Sequence, residues 1–521
     1  MILDPFIYWL CGNRAARRVA DAIFVLDARR RVVDLERLDA AKAQEQTLIG
    51  LVQRAANTRF GKDHDFARIR TVEEFQRLVP IRDYEAFWQE YWKNDFPNIR
   101  GATWPGSIPY FALSSGTTSG TTKYIPISTA MLASNRKAAL TMLSAFVAGR
   151  TDAHLFHGRL FFLGGCTDLE RLAPDVLAGD LSGIAAREIP VYLRPYSFPP
   201  LDLALLSDWE EKVRVLAEHS AKLPITMISG VPSWLLILFN RLKAVTGKDR
   251  LIDIWPDLRL VIHGGVKFDP YRELFRKEIG SDGVRFLETY PCSEGFVAFE
   301  DPRYDLLRLL PDHGIFFEFV PVNELGKDRP VRHTLANIEI GVQYAVVLTN
   351  CAGLWSYVVG DTVAFERRDP PLLRFTGRTK YYLSAFGEHL ISEEVEKAIT
   401  AAARVTDSAV VDFHVGPLFP GRPAEPGRHL YLVEFARPPA DVSRFRSELD
   451  STLCHMNDDY RAHRTGGTGM AEPEIRLVPR GAFADWMRAH GKLGGQHKLP
   501  RMDNTGELTR QMAGWLAERV D

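Results

Sequence analysis

Residues 114–123 read Ser-Ser-Gly-Thr-Thr-Ser-Gly-Thr-Thr-Lys, and this stretch holds seven hydroxyl groups, two glycines, one lysine and no carboxylate. Glycines let the backbone approach oxygen atoms closely, and hydroxyl and amide groups donate hydrogen bonds to such atoms. Lys123 would add a positive charge suited to a phosphate. The composition therefore predicts a loop that can wrap an anion.

The surroundings of this loop favour a phosphate site, although a plain surface loop of small polar residues remains the alternative. An apolar run at 108–113 predicts a strand just before the loop, and Ser128 is a candidate helix N-cap soon after it. The Walker A pattern, G-x-x-x-x-G-K-[ST], does not fit, because threonine rather than lysine follows the second glycine.

Four other stretches offer groups that could act on a ligand. Residues 290–294, Tyr-Pro-Cys-Ser-Glu, combine an aromatic ring, a hydroxyl and a carboxylate, and residues 357–361, Tyr-Val-Val-Gly-Asp, combine an aromatic ring and a carboxylate. The pair 264–265, Gly-Gly, is a platform without side chains, and Lys498 lies in a glycine-flanked run. Each has a simpler explanation, namely packing, a turn, or a solvated charge.

The elements that would position these groups change in character along the chain. Residues 1 to about 100 show helical spacing of apolar residues. From about 105, short apolar runs alternate with amphipathic segments, which predicts a β-α-β-α-β arrangement and a parallel sheet covered on both faces. The predicted strands are 159–163, 225–228, 258–262 and 284–287, and the helices between them are 233–242 and 271–277. Ligands bind beyond the carboxyl ends of such strands, where the polar stretches fall.

The later part of the chain predicts a β-rich subdomain and then a smaller α+β domain. Residues 315–375 are rich in β-branched and aromatic residues, which indicates antiparallel sheet. The polar junction 376–380 marks a boundary, and a helix opening at Ser392, a strand at 430–435 and a helix at 443–456 follow it. We therefore expect an α/β protein with a large domain at 1–375 and a small domain at 381–521.

Composition and charge restrict the class of partner. The chain has 521 residues, 46% hydrophobic and 25% charged, with a formal net charge of -1. This balance gives no electrostatic indication of nucleic acid or an anionic membrane, and the apolar runs fall short of the ~18 residues of a membrane span.

Two features of the sequence bear on its compartment. The cysteines at 11, 166, 292, 351 and 454 are scattered and lack C-x-x-C spacing, which argues against a disulfide framework or a cysteine zinc site and favours a reducing cytoplasm. The apolar residues 1–10 precede arginines, the reverse of a secretory signal, and predict an amphipathic first helix.

Taken in order, the motifs resemble those of the adenylate-forming superfamily and, within it, the Gretchen Hagen family of acyl-acid amido synthetases. The loop 114–123 is similar to that family's first nucleotide motif, residues 290–294 to the second and residues 357–361 to the third. Residues 229–234 and 495–501 are also similar to family stretches. Pro291-Cys292 and Val358 depart from the residues that are usual there, and these departures bear on substrate details more than on nucleotide binding.

The resemblance implies a luciferase-like arrangement, in which a large domain and a mobile small domain are joined by a hinge at 376–380. It also implies a nucleotide site. ATP would be the co-substrate and Mg²⁺ the metal. The implied nucleotide-binding residues are Ser114, Ser115, Gly116, Thr117 and Thr118 at the phosphates, Gly264, Gly265 and Tyr290 around the adenine, Asp361 at the ribose, and Ser293 and Tyr357 beside them.

Two residues carry implied catalytic roles. Glu294 would hold Mg²⁺ through oxygen. Lys498 would come from the small domain to stabilise charge on the transferring carboxylate or phosphate. We also expect an acyl pocket at the ends of adjoining strands, although such residues are often core. Its candidate residues are Phe111, Tyr192, Met227, Val231 and Trp234.

These implications give a concrete hypothesis. The protein would adenylate a small carboxylic acid with ATP and transfer the acyl group to an amine, an amino acid being the first candidate. An acyl-CoA ligase with the same first half-reaction and a non-catalytic nucleotide-binding protein are the alternatives.

Overall fold

The computed structural model describes most of the chain. The described residues are 13–114, 122–150, 152–164, 169–206, 208–265, 268–325, 327–379, 382–388, 390–419, 426–464, 469–490 and 501–517. Among these residues, no helix combines the length and the apolarity that crossing a membrane requires. Cys292, Cys351 and Cys454 are free thiols.

Helices dominate the first hundred residues and then alternate with strands. The longer α-helices are Arg14–Arg37, Ala40–Ala55, Val72–Leu78, Thr129–Ala148, Leu181–Arg187, Trp209–Ser220, Pro232–Thr246, Asp269–Ile279, Ser392–Val405, Val442–Met456, Asp458–Arg464, Ala482–Ala489 and Glu507–Ala517. Short α-helices are Arg59–Asp63, Tyr84–Phe87, Leu201–Ala204 and Leu251–Ile254, and 3₁₀ turns are Phe66–Arg68, Leu155–His157, Arg194–Tyr196 and Val322–Glu324. Trp88–Trp92 is a π-helical turn.

The strands are labelled in chain order. They are β1 Tyr110–Ser114, β2 Lys123–Ile127, β3 Arg159–Phe162, β4 Glu170–Ala173, β5 Val176–Gly179, β6 Ser197–Phe198, β7 Ile225–Gly230, β8 Leu260–Gly264, β9 Arg285–Cys292, β10 Gly295–Asp301, β11 Leu306–Leu309, β12 Ile315–Pro321, β13 Gln343–Asn350, β14 Tyr357–Arg367, β15 Leu372–Arg378, β16 Tyr382–Leu383, β17 Leu390–Ile391, β18 Ala409–Leu418, β19 Arg428–Arg437 and β20 Glu474–Val478.

Eleven of the described strands form one large mixed sheet, in the order β12-β13-β14-β15-β11-β10-β9-β8-β7-β3-β6. From β6 to β9 all neighbours are parallel, and from β9 to β12 all are antiparallel. The parallel half confirms the predicted β-α-β-α-β order. In the antiparallel half, β12 to β14 and most of β15 lie in the predicted β-rich segment 315–375, whereas β10 and β11 precede it.

Apolar clusters cover both faces of the parallel half. Successive side chains of a strand point to opposite faces, so neighbouring residues of one strand belong to different clusters. In β8, Val261 belongs to an apolar cluster with the helices Pro232–Thr246 and Asp269–Ile279. Leu260 and Ile262 belong to a second cluster with the helix Thr129–Ala148. The near-continuous apolar runs of these strands follow from burial on both sides.

A separate four-stranded sheet, in the order β2-β1-β5-β4, carries the hydroxyl-rich stretch. β1 and β2 pair as an antiparallel hairpin in which Ser114 is opposite Lys123. Ser128 caps the helix after it, as predicted, by accepting a hydrogen bond of 3.1 Å from the Met131 amide. β1 therefore has no neighbour in the parallel sheet among the described strands, contrary to our expectation that Phe111 and Met227 stand on adjoining strands.

The C-terminal part has its own three-stranded sheet, β18-β19-β20, packed by the helices Ser392–Val405 and Val442–Met456. Its buried Glu388 accepts hydrogen bonds from the amides of Ala385 and Phe386 at 3.2 and 2.7 Å and lies 2.7 Å from Nε2 of His429. Apolar residues of this part share one cluster with the helix Pro232–Thr246. The expected boundaries at 375 and 381 stay predictions.

Candidate functional site

A cavity of about 1410 Å³ lies between the two halves of the large sheet and the C-terminal part of the chain. From the first 380 residues its lining includes Ser114, Lys123, Gly265, Tyr290, Glu294 and Asp361. From the C-terminal part it includes Ser384, Ala385, Phe419, Asn504, Thr505 and Glu507. Ser293 also lines it. Segments hundreds of residues apart in the sequence thus meet at one site.

The β1–β2 hairpin brings its two ends to this cavity. Ser114 ends β1 and Lys123 begins β2, and both line the cavity. The Lys123 ammonium lies 5.5 Å from the ring centroid of Tyr84. Ser115, Gly116, Thr117 and Thr118, predicted at the phosphates, lie outside the described residues.

Tyr84 supports the hairpin from the N-terminal helical region. Its hydroxyl accepts a hydrogen bond of 2.9 Å from the Tyr124 amide. Burial raises the pKa of this phenol to about 12, so it stays neutral at physiological pH. No motif around Tyr84 points to this role.

Glu294 occupies the two-residue turn between β9 and β10, where Cys292 pairs with Gly295. This turn joins the last parallel strand to the first antiparallel one, so the carboxylate lies at a carboxyl end of the parallel sheet. Asn350 fixes the turn, because its side-chain amide donates a 2.8 Å hydrogen bond to the Glu294 carbonyl. Gly295 has φ +152, and a Cβ there would lie 2.3 Å from Cδ1 of Ile315.

The Glu294 carboxyl is 7% exposed, and its surroundings act on its charge in opposite directions. Burial raises the pKa of Glu294, the Asp361 carboxylate adds to the increase, and Lys123 and a hydrogen bond with Tyr357 oppose it. Burial likewise raises the pKa of Tyr357, with Glu294 as the next cause. The cavity lining therefore brings the buried acids Glu294 and Asp361 together with Lys123, and arginines such as Arg272 and Arg374 line it as well.

Tyr290 and Asp361 are in direct contact, with 2.8 Å between the phenol oxygen and Oδ2 of the carboxylate. β9 and β14, which carry them, are separated by three strands in the sheet order. A flat sheet would put those strands about 19 Å apart, at about 4.8 Å per neighbour. The antiparallel half must therefore curl over the end of β9, and this curl closes one side of the cavity.

Gly264 and Gly265 lie where β8 ends beside β9. A Cβ on Gly264 would lie 2.6 Å from the backbone oxygen of Thr289 and 2.7 Å from its Oγ1. Gly265 has φ +82, which favours glycine, and it lines the cavity. The bare backbone at this position keeps one wall of the cavity flat next to Tyr290.

His263 precedes this pair and is packed rather than placed for proton transfer. It stacks on Phe268 with ring centroids 3.7 Å apart. Burial, followed by the charge of Arg272, lowers its pKa to about 3, so the ring is neutral at physiological pH. Neither ring nitrogen has a hydrogen-bond partner among the described residues.

The five predicted acyl-pocket residues are not gathered around this cavity. Phe111 and Met227 are buried in different apolar clusters, and Tyr192 is 58% exposed. Val231 and Trp234 pack against a third cluster. Phe111 lies on β1 of the small sheet, Met227 on β7 of the large sheet, and Trp234 on the helix Pro232–Thr246, which explains the separation. The acyl pocket remains a prediction without a single location.

Trp234 instead contacts the C-terminal part. Its Nε1 donates a 2.9 Å hydrogen bond to Nε2 of His463, and the two rings stack. Lys498 lies outside the described residues, although Asn504 and Thr505 downstream line the cavity. Residues 376–378, expected at the hinge, continue β15, and the Thr379 amide donates to the Gly360 carbonyl at 2.7 Å.

Family models match three stretches of the chain. The GH3 family N-terminal domain matches residues 30–164 and 172–284, the GH3 family central domain matches 308–378, and the GH3 family C-terminal domain matches 393–507. Together they cover most of the chain.

Individual relatives are more distant. The chain is similar to jasmonoyl–L-amino acid synthetase GH3.5 of Oryza sativa subsp. japonica, with 27% identity over 48% of this chain and 46% of that protein. It is also similar to jasmonoyl–L-amino acid synthetase JAR6 of Nicotiana attenuata, with 26% identity over 89% of this chain and 91% of that protein. The alignments with the first curated relatives span about half of their length or less.

Two solved structures share the fold. The GH3.15 acyl acid amido synthetase matches with TM-score 0.58 and 17% identity over 93% of this chain and 94% of that chain. A 2-hydroxyisobutyryl-CoA ligase with its acyl-adenylate and CoA matches with TM-score 0.56 and 13% identity over 92% and 94%. The likeness confirms the expected fold class, an α/β architecture with large sheets flanked by helices.

Proposed function

This chain belongs to the GH3 family, as its sequence motifs indicated, and we propose that it is an ATP-dependent acyl-acid amido synthetase. It would adenylate a carboxylic acid and transfer the acyl group to an amine, an amino acid being the first candidate. The main support is that the β1–β2 hairpin, Glu294 and Asp361 line one cavity that also touches the C-terminal part. Relatives at 26–27% identity are named as jasmonoyl–amino acid synthetases.

In the first half-reaction a carboxylate oxygen attacks the α-phosphorus of ATP, and the bond to the β-phosphate breaks with release of pyrophosphate. Charge grows on the phosphate oxygens, so donors and cations that are already in position lower the barrier. We assign Lys123 and the loop 115–121 to these oxygens. Asp361, held by Tyr290, would accept hydrogen bonds from the ribose hydroxyls, and the platform at Gly264-Gly265 would border the adenine.

The cavity suits a magnesium nucleotide. Its volume exceeds the usual range for small-molecule sites, its lysine and arginines could contact phosphate oxygens, and its buried acids Glu294 and Asp361 offer oxygen ligands. Glu294 would hold Mg²⁺, which, when bound, would neutralise phosphate charge. Asn350 donates to the Glu294 carbonyl, so the chain fixes the backbone of the turn from which the carboxylate projects.

In the second half-reaction an amine nitrogen attacks the acyl carbon, the bond to AMP breaks, and the amine proton is released. No covalent intermediate on the protein is needed. The acceptor needs a different approach from that of pyrophosphate, which gives a movable C-terminal part a role. We propose 376–380 as the hinge and Lys498 as the lysine that this part supplies in adenylation.

The test is ATP–pyrophosphate exchange across a panel of carboxylic acids, followed by amines with the best acid. Glu294→Gln and Lys498→Ala should each lower exchange by about 10²-fold or more. Glu210→Gln and Lys62→Ala, on exposed residues, are the matched controls. Exchange at the wild-type rate in Glu294→Gln or Lys498→Ala would remove that residue's assignment.

An acyl-CoA ligase is the second candidate, because a CoA ligase shares the fold. The acceptor decides between the two. Turnover completed by CoA and not by any amine would replace the amide assignment, and acid-independent ATP binding without pyrophosphate release would replace both.

A further inference from the structure

A second group of metal-ligating side chains lies outside the cavity. Asp21 in the helix Arg14–Arg37, and His154 and His157 around the turn Leu155–His157, each place one ligand atom within 4.8 Å of the others. We call these three residues the Asp-His cluster. None of them lines the cavity.

Asp21 is built into the fold rather than solvated. It is 3% exposed, and its Oδ1 accepts a 2.9 Å hydrogen bond from the Phe156 amide. Its Oδ2 is buried and has no hydrogen-bond partner among the described residues, although Nδ1 of His157 lies 3.5 Å away. A buried carboxylate oxygen without a donor is costly, unless a cation or a donor completes it.

The three residues of the Asp-His cluster differ in burial, because Asp21 is buried, His157 is half-buried and His154 is exposed. Their ring centroids are 4.7 Å apart. Ligand atoms of a tetrahedral zinc ion lie about 3.3 Å from one another, given bonds of about 2.0–2.1 Å. The observed 3.5 Å between His157 and Asp21 is close to that spacing, and rotation of the exposed His154 would supply the third atom.

Packing on either side holds the cluster in place. On the same helix, Phe24 makes an edge contact with Phe156 at 5.2 Å, and Phe156 makes another with Tyr196 at 5.1 Å. Arg17, one turn before Asp21, is the nearby cation. Its guanidinium donates to the His157 and Gly158 carbonyls at 2.9 and 3.3 Å.

We propose that the Asp-His cluster is a zinc site that fastens the helix Arg14–Arg37 to the turn before β3. Two imidazoles and one carboxylate are ligands that zinc prefers, and the exposed side leaves the fourth position to water. The GH3 family match begins at residue 30, so Asp21 lies before it. The site is independent of the proposed ligase activity.

The direct test is calorimetric titration of the full chain with Zn²⁺, and of the same chain with Co²⁺ by visible absorption, without nucleotide. The wild type should bind one ion more than Asp21→Asn, with the intense bands of four-coordinate cobalt. Asp21→Asn preserves an acceptor for the Phe156 amide, so it should stay folded. Loss of a ligand should weaken zinc binding by about 100-fold or more.

Two further measurements separate a site from adventitious binding. His154→Ala should lose the ion, whereas His455→Ala, on an exposed histidine of another helix, should keep it. Amide exchange in the helix Arg14–Arg37 should slow with Zn²⁺ in the wild type and not in His154→Ala, and Mg²⁺ should have no effect. Equal zinc binding by wild type, Asp21→Asn and His154→Ala would overturn the proposal.

Discussion

Gly264→Ala tests whether the junction of β8 and β9 must lack a side chain. The new methyl group would lie 2.6 Å from the Thr289 backbone oxygen and 2.7 Å from its Oγ1, closer than real Cβ contacts. The backbone atom cannot rotate away, so the strands must separate. Thr289 also donates a 3.1 Å hydrogen bond to the His263 carbonyl, and that bond would be strained.

The cost follows from these contacts. Overpacking in a close-packed region costs about 1–3 kcal/mol, and the weakened hydrogen bond adds about 1 kcal/mol. Restriction of the unfolded chain by alanine offsets about 0.4–1 kcal/mol. We therefore expect a net loss of about 2 kcal/mol in the free energy of unfolding. Because Tyr290 follows Thr289, the shift should also raise the KM for ATP.

Urea denaturation followed by circular dichroism measures the first effect, and ATP–pyrophosphate exchange under folding conditions measures the second. Gly50→Ala is the control, since a Cβ at that helical position meets nothing within 4 Å. It should be stabilising by about 0.5–1 kcal/mol with an unchanged KM. If Gly264→Ala behaves as Gly50→Ala does, the close approach of β8 to β9 is wrong.

Three other variants probe the buried charges. Burial raises the pKa of Glu294, so the folded state loses stability as pH rises through that pKa. Without nucleotide, Glu294→Gln should therefore be more thermally stable than the wild type above pH 4.5, and increasingly so toward neutral pH. An equal difference in thermal stability at all pH values would contradict this. Burial opposes the charge of Glu388, but His429 and backbone amides lower the pKa of this carboxyl, so the carboxylate stabilises the fold above the usual glutamate pKa and loses this effect as pH falls. Glu388→Gln should therefore lower the free energy of unfolding by about 3–5 kcal/mol at pH 7 and by less in acid, as urea denaturation at several pH values would show. Tyr290→Phe keeps the ring but removes the hydrogen bond to the Asp361 carboxylate, which contributes about 1.5–3 kcal/mol, and should raise the KM for ATP at least tenfold. An unchanged KM would show that Asp361 does not contact the nucleotide.

The parallel half of the sheet was predictable because its signal is local. β7 and β8 are short apolar runs that end at a glycine, and a helix follows each of them. The C-terminal helices at Ser392–Val405 and Val442–Met456 were predicted for the same reason. The motif residues Glu294 and Asp361 were predicted from a resemblance, and the structure brings both to one cavity.

What the sequence could not supply is the long-range geometry. The contact between Tyr290 and Asp361 depends on how far four neighbouring strand pairs curl, and no residue pattern encodes that angle. The sequence likewise could not predict that β1 lies in a second sheet, because the pattern of an apolar strand is the same in either sheet. Trp234 looked like a pocket residue from its neighbours, whereas its indole N–H donates to His463.

The residence of the hydroxyl-rich hairpin in its own small sheet has a consequence for the order of product release. β1 and β2 share no ladder with the strands that carry Tyr290 and Asp361. Side-chain packing joins the two sheets instead, since Phe111, Ile125 and Tyr290 belong to one apolar cluster. We expect the hairpin to release pyrophosphate while the strands that carry Tyr290 and Asp361 still hold the acyl-adenylate, so that this mixed anhydride meets its amine before it leaves the protein.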